Sequence, residues 1–215
     1  MNPSKPAATD IPDAAPTDAQ LIAESATRPR AFMELLERHQ RILYGYMARR
    51  VGPDLAEDIV AETFTRAFAL RERFDQARDD ARPWLFGIAL NLLRTHMRSE
   101  TRKSRAYQRS GAALLDEAPD DDEVADRLDA SLHGDTLTNA VKTLSQGDRE
   151  ALLLYAWGDL SYDDIALSLN IPVGTVRSRL NRARRQLREQ LANTGVRPEH
   201  ETADIPDSST AAGGQ

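Results

Sequence analysis

The chain has 215 residues, with 34 acidic against 28 basic side chains, a formal net charge of -6 and no cysteine. That length allows one ordinary domain or two small ones, and the missing cysteine excludes disulfides, thiol nucleophiles, thiol redox sensing and Cys-ligated metal centres. The apolar runs near residues 84–90 and 151–157 are too short to span a bilayer, and the opening MNPSKPAATDIPDAAP holds no signal-peptide core, so a cytoplasmic protein without membrane insertion is expected.

Residues 1–17, rich in Pro, Ala and Asp, have nothing to bury and read as a disordered tail. From Asp18 the apolar residues recur at helical spacing, and Gly52-Pro53 and Arg82-Pro83 punctuate the pattern where helices must stop or restart. Asp54 is the expected N-cap of a helix over residues 55–70. In its sequence LAEDIVAETFTRAFAL, Ile59, Thr63 or Phe64, Ala67 and Leu70 share an inner face, with Glu57, Asp58, Glu62 and Arg66 outside. A solvated acidic face is the plain reading of that exterior, and a docking face for a protein partner is the sharper one.

Pro83 suits the first turn of the next helix, which runs from Trp84 to about Lys103. At about 100° per residue, Gly87, Asn91, Arg94 and Arg98 form one polar stripe flanked by Trp84 and Thr95, while Leu85, Ile88, Ala89, Leu92 and Leu93 turn away. Arginines beside an aromatic ring and an amide suit a single nucleic-acid strand: charge tracks the backbone, a ring stacks on a base and the amide reads an edge. Trp84, Phe86 and Met97 could equally be core.

The stretch GAALLDEAPDDDEVADRLDASLHGD, within residues 106–135, is strongly acidic. It reads as a solvated flexible linker, which predicts mobile halves, or as a polyanionic mimic of nucleic acid. Beyond it, residues 136–144, 146–157, 162–169 and 173–191 read as four helices, and residues 193–215 as a second tail. Ser161 with Asp164 forms a capping box at the start of YDDIALSL. Asn170 tolerates the left-handed conformation of a tight stop, and Pro172 forbids continuation. Two helices joined by so short a turn make a helix-turn-helix, the unit that lays its second helix in the DNA major groove.

That second helix is strongly two-faced. Val176, Leu180, Ala183, Leu187 and Leu191 fall within one arc, opposite Ser178, Asn181, Arg182 and Arg185, with Arg177 and Arg188 at one margin and Thr175 and Arg179 at the other. Arg177, Ser178, Asn181 and Arg182 stand where base edges can be reached, and the later arginines suit phosphates. Basic decoration of a solvated helix is the alternative.

Taken in order, AEDIVAETFTRAF, RPWLFGIALNLLRTHMR, the acidic stretch and LSYDDIALSLNIPVGTVRSRLNRARRQL resemble an RNA polymerase sigma factor of the sigma-70 family, in its extracytoplasmic-function class. The resemblance implies an all-α protein of two small domains joined by the acidic linker. Residues 18–105 would bind core RNA polymerase and melt the downstream promoter element, and 136–192 would recognise the upstream element. Carried over, it assigns Arg177, Ser178, Asn181, Arg182, Arg185 and Thr175 to the upstream element, with Ser161 and Tyr162 on phosphate. It assigns Asn91, Trp84, Arg94 and Arg98 to the downstream element, with the loop of residues 74–80, including Phe74, Asp79 and Asp80, completing a pocket for a flipped base. Glu57, Asp58 and Glu62 would dock on the polymerase's largest subunit, where Ala61 replaces the Gln of many members. The linker would thread toward the RNA exit path. The partners implied are core RNA polymerase, promoter DNA and an anti-sigma factor.

A dimeric DNA-binding regulator would share only the second half. Enzyme chemistry is not expected: His39, His96, His133 and His200 show no ligand spacing, there is no phosphate loop, HExxH or GxSxG, and no cofactor or metal is implied.

Overall fold

The computed structural model describes residues 15–111 and 135–193. Of the expected tails (1–17 and 193–215) and linker (106–135), residues 1–14, 112–134 and 194–215 lie outside these described residues. Within them there is helix and turn and no strand.

The first half consists of α1 (Asp18–Glu24), α2 (Ala31–Val51), α3 (Pro53–Leu70), a 3-10 turn (Arg71–Arg73) and α4 (Arg82–Gly111). Thr17 and Gln20 cap α1 reciprocally, side chain to backbone in both directions. The cap expected at Asp54 stands elsewhere: Gly52, at φ 84°, is both the end of α2 and the N-cap of α3. Only glycine takes that conformation without strain, and Pro53 then fills the first helical position, where a missing N–H costs nothing. Helix α4 also outruns its expected end near Lys103, because RKSRAYQRS offers helix formers and no breaker before Gly111. The domain boundary expected at 105 therefore falls inside a helix.

Leu35, Leu43, Tyr46, Met47, Phe86, Leu90 and Leu93 form a buried centre between α2, α3 and α4, with the Tyr46 and Phe86 rings edge-to-face at 5.1 Å. Each fully buried side chain of this size contributes about 1.5–3 kcal/mol before entropy is subtracted.

The second half holds α5 (Asp135–Lys142), α6 (Gln146–Trp157), α7 (Tyr162–Leu169) and α8 (Val173–Asn193). The Ser161–Asp164 capping box is present, and Asn170 ends α7 at φ 53°, ψ 51°, as the turn chemistry requires. The buried Arg149 closes α5 by donating to the carbonyls of Lys142 at 2.6 Å and Leu144 at 2.8 Å.

The acidic linker predicts halves that move independently; the structure instead packs α7 against α4. Ser168 Oγ donates to the Pro83 carbonyl at 2.9 Å. At Gly87 the two backbones come so close that an added Cβ would sit 3.4 Å from the Ser168 carbonyl oxygen. Glu150, from α6, is buried between Arg50 at 3.2 Å and Arg94 at 2.7 Å. Burial raises the Glu150 carboxyl, but the Arg94 hydrogen bond and the Arg50 charge outweigh it, leaving the pKa below the ordinary range. Arg49 adds a cation–π contact to Trp157.

Candidate nucleic-acid interface

Helix α8 carries the face expected of a recognition helix. Val176, Leu180 and Ala183 are completely buried, while Arg177, Ser178, Asn181, Arg182, Arg185 and Arg188 are exposed. The 3.6-residue repeat alone separates the two sets. Thr175 and Arg179 are partly covered at the margin.

Arg182 is exposed but its guanidinium is engaged, bidentate on Asp148 at 2.8 and 3.1 Å. Asp148 is buried in the first turn of α6, so this pair fastens α8 to α6. The pairing raises the Arg182 pKa, and the guanidinium is not presented to a base in this arrangement. The Ser161 hydroxyl is likewise used within its capping box, and the Tyr162 hydroxyl accepts from Arg184 at 3.2 Å. On the polar face of α8, Arg177, Ser178, Asn181, Arg185 and Arg188 remain exposed, with Arg185 making a distant contact to Glu189 at 3.9 Å.

The α4 stripe is present but covered at one end. Asn91 and Arg98 are exposed, whereas Gly87 lies under α7 and Arg94 is held by Glu150 while donating to Asn91 Oδ1 at 3.2 Å. Gly87, expected as part of the polar stripe, thus serves close helix–helix approach. Phe74 departs further from expectation: it is buried, with its ring 5.2 Å from Trp84, so it supports Trp84 and cannot stack on a base as placed. Trp84 itself is half-buried.

Between Phe74 and α4, residues 75–79 form an exposed loop. Its turn is closed by the Arg78 amide on the Asp75 carbonyl at 3.0 Å. Asp80 caps α4, accepting from the Arg82 amide and Nε, both at 2.8 Å. The loop borders the helix-turn-helix turn, with Arg78 facing Asn170, Ile171 and Pro172 across a shallow cleft of about 470 Å³.

No local sequence signal marks Asp18 as part of this region. Its carboxylate is buried and accepts from the Ala81 amide at 2.9 Å, His39 Nε2 at 2.6 Å and Arg38 at 3.2 Å. Burial raises this carboxyl, and the His39 hydrogen bond followed by the Ala81 amide bring its pKa below the ordinary value. Asp18, His39 and Asp80 place ligand-type atoms within 4.8 Å of one another. The Arg38 guanidinium already supplies the positive charge that a cation would bring.

The exposed side of α3 presents Glu57, Asp58, Ala61 and Glu62, the last paired with Arg66 at 2.6 Å. No helix among the described residues is long and apolar enough to cross a membrane.

Comparison with known proteins matches residues 35–103 to Sigma-70 region 2 and residues 135–187 to Sigma-70, region 4. The ECF RNA polymerase sigma factor SigC of Mycobacterium tuberculosis is 33% identical over 155 residues, spanning 72% of this chain and 80% of that protein. The RNA polymerase sigma-H factor of Pseudomonas aeruginosa is 31% identical over 175 residues, spanning 75% of this chain and 86% of that protein. Among solved structures, CnrH in complex with the cytosolic domain of CnrY superposes with a TM-score of 0.57 at 27% identity, covering 82% of this chain and 97% of CnrH. The sigma factor RpoE of Bartonella quintana, solved with the anti-sigma factor NepR, gives 0.57 at 27% identity over 76% of this chain and 98% of that one. The two matched regions, in this order and on this all-helical fold, make the chain a member of the sigma-70 family in its extracytoplasmic-function class, a promoter-specific transcription initiation factor and not an enzyme.

Proposed function

We propose that this sigma factor divides promoter recognition between its two halves, residues 18–105 and 136–192. Helix α8 reads the upstream element in the major groove through Arg177, Ser178 and Asn181, with Thr175, Arg185, Ser161 and Tyr162 along the phosphates. Helix α4 and the loop of residues 74–80 hold the melted downstream strand, using Trp84, Asn91, Arg94, Arg98, Asp79 and Asp80. Glu57, Asp58, Ala61 and Glu62 on α3 dock on core RNA polymerase. The protein acts in the cytoplasm.

The observation carrying this reading is the division of α8 into an apolar arc buried at Val176, Leu180 and Ala183 and an exposed arginine–asparagine arc. Run-off transcription with core polymerase on a promoter library tests it. The protein should direct initiation at a shared upstream motif, and Arg177→Ala with Asn181→Ala should abolish that selection.

In the packed arrangement Arg94 is bound to Glu150 and Gly87 is covered. Downstream binding therefore requires α7 to leave α4. The structural relatives were solved with an anti-sigma factor or with CnrY. By extension, an anti-sigma factor restrains this chain by holding its two DNA faces out of reach.

A further inference from the structure

We propose that Asp18 is a positioning residue for downstream-element selectivity, clasping the end of the loop of residues 74–80 so that the loop meets the flipped base in one pose. This rests on the reading of that loop given above. The clasp has two points on either side of Asp80: the Asp18 amide donates to the Asp79 carbonyl at 3.1 Å, and the Asp18 carboxylate accepts from the Ala81 amide at 2.9 Å. The partners lie 61 and 63 residues away in sequence, so the contact joins α1 to the loop and serves no local turn.

Asp18 is itself fixed from three directions. The capping box at Thr17 sets its backbone, His39 donates to Oδ2 at 2.6 Å and Arg38 to Oδ1 at 3.2 Å. At the other end of the loop, Phe74 is buried against Trp84. The exposed residues 75–79 are thus strung between two immobile ends, with Asp80 tied to Arg82 at the start of α4. Reading a base through a loop demands such fixed ends, because a loop that samples many poses contacts every base about equally well.

The roles of the carboxylate separate by mutation. Asp18→Ala removes the acceptor for the Ala81 amide. His39→Gln disturbs the same buried network and leaves that acceptor in place. Each variant is assayed with core polymerase on templates randomised at the downstream element and fixed upstream, alongside its Tm and the hydrogen exchange of the Ala81 amide. A base preference in wild type of about tenfold or more per position should shrink to within about threefold for Asp18→Ala, with faster exchange at Ala81. His39→Gln should lower the Tm and keep the base ranking. If Asp18→Ala lowers the Tm and the overall yield but preserves the ranking, the residue is merely structural and the proposal is overturned. The loop itself is tested by Gln76→Ala with Arg78→Ala: an altered ranking there with Asp18→Ala at wild-type ranking overturns the clasp alone. An unaltered ranking in the loop variant overturns the loop reading and the clasp with it.

Discussion

Helices α4 and α8 carry similar polar stripes, each with an asparagine among arginines, yet α8 turns its stripe to solvent while α4 has α7 lying over part of its own. The difference comes from what faces each stripe. Opposite α8 the nearest acid is Asp148, which takes up Arg182 and leaves Arg177 and Asn181 exposed. Opposite α4 stands Glu150, two residues further along α6, buried between Arg50 and Arg94. A basic stripe is thus no guide to availability; a buried carboxylate opposite the stripe ties up its arginine, Arg182 within the second half and Arg94 across the two halves.

Four experiments sharpen that contrast. The largest effect is expected on α8: Arg177→Ala with Asn181→Ala should weaken selection of the upstream motif about a hundredfold or more, at about 1–3 kcal/mol per base contact. Equal loss on all templates would instead mark these side chains as phosphate contacts. Next, Glu150→Ala leaves Arg50 and Arg94 facing one another without their shared anion, a change that costs about 3 kcal/mol for a buried pair. The radius of gyration from small-angle scattering should then rise, and an unchanged value would show that the remaining α4–α7 packing suffices.

Acid should act on the same contact by degrees. Glu150 at this contact and Asp18 within the first half both have lowered folded-state pKa values. Their stabilisation is therefore complete above the ordinary carboxylate range and is lost as pH falls through the lowered values. The halves should stay together from pH 8 to about 5 and loosen only below about pH 4, so loosening near neutrality would point to another group. The smallest effect is expected at the interface glycine. Gly87→Ala places a Cβ at 3.4 Å from the Ser168 oxygen, close to ordinary contact. The packed form should persist, with a helix-propensity gain of up to about 1 kcal/mol in thermal unfolding.

Much of this was legible locally. The Ser161–Asp164 box, the left-handed Asn170 and the two-faced pattern of α8 all depend on neighbours within a few residues, and each stands as the sequence implies. The Gly52 cap was misjudged because Asp54 also has capping chemistry, and only the backbone angle separates them. The buried charges were illegible for a different reason. Asp148, Arg149 and Glu150 form a run that reads as solvent-facing, and all three are buried. The partners of Glu150 lie 100 and 56 residues away, and the Ala81 partner of Asp18 lies 63 away. Helical periodicity reports which face is apolar; it carries no information on charges satisfied across a tertiary interface. Phe74 illustrates the same limit, since nothing in the local pattern shows that its ring packs on Trp84, ten residues further on.

In the proposed function, α7 must leave α4 before the downstream face can hold DNA. The chain has no cysteine, so Gly87→Cys with Ser168→Cys creates a single reversible crosslink. An added Cβ at Gly87 lies 3.8 Å from the Ser168 Cα, which places the two positions in direct contact, as a crosslink requires. Run-off transcription with core polymerase should fail when this variant is oxidised and return on reduction. Equal transcription in both redox states would mean that the packed arrangement is compatible with an open promoter, and the account would be wrong.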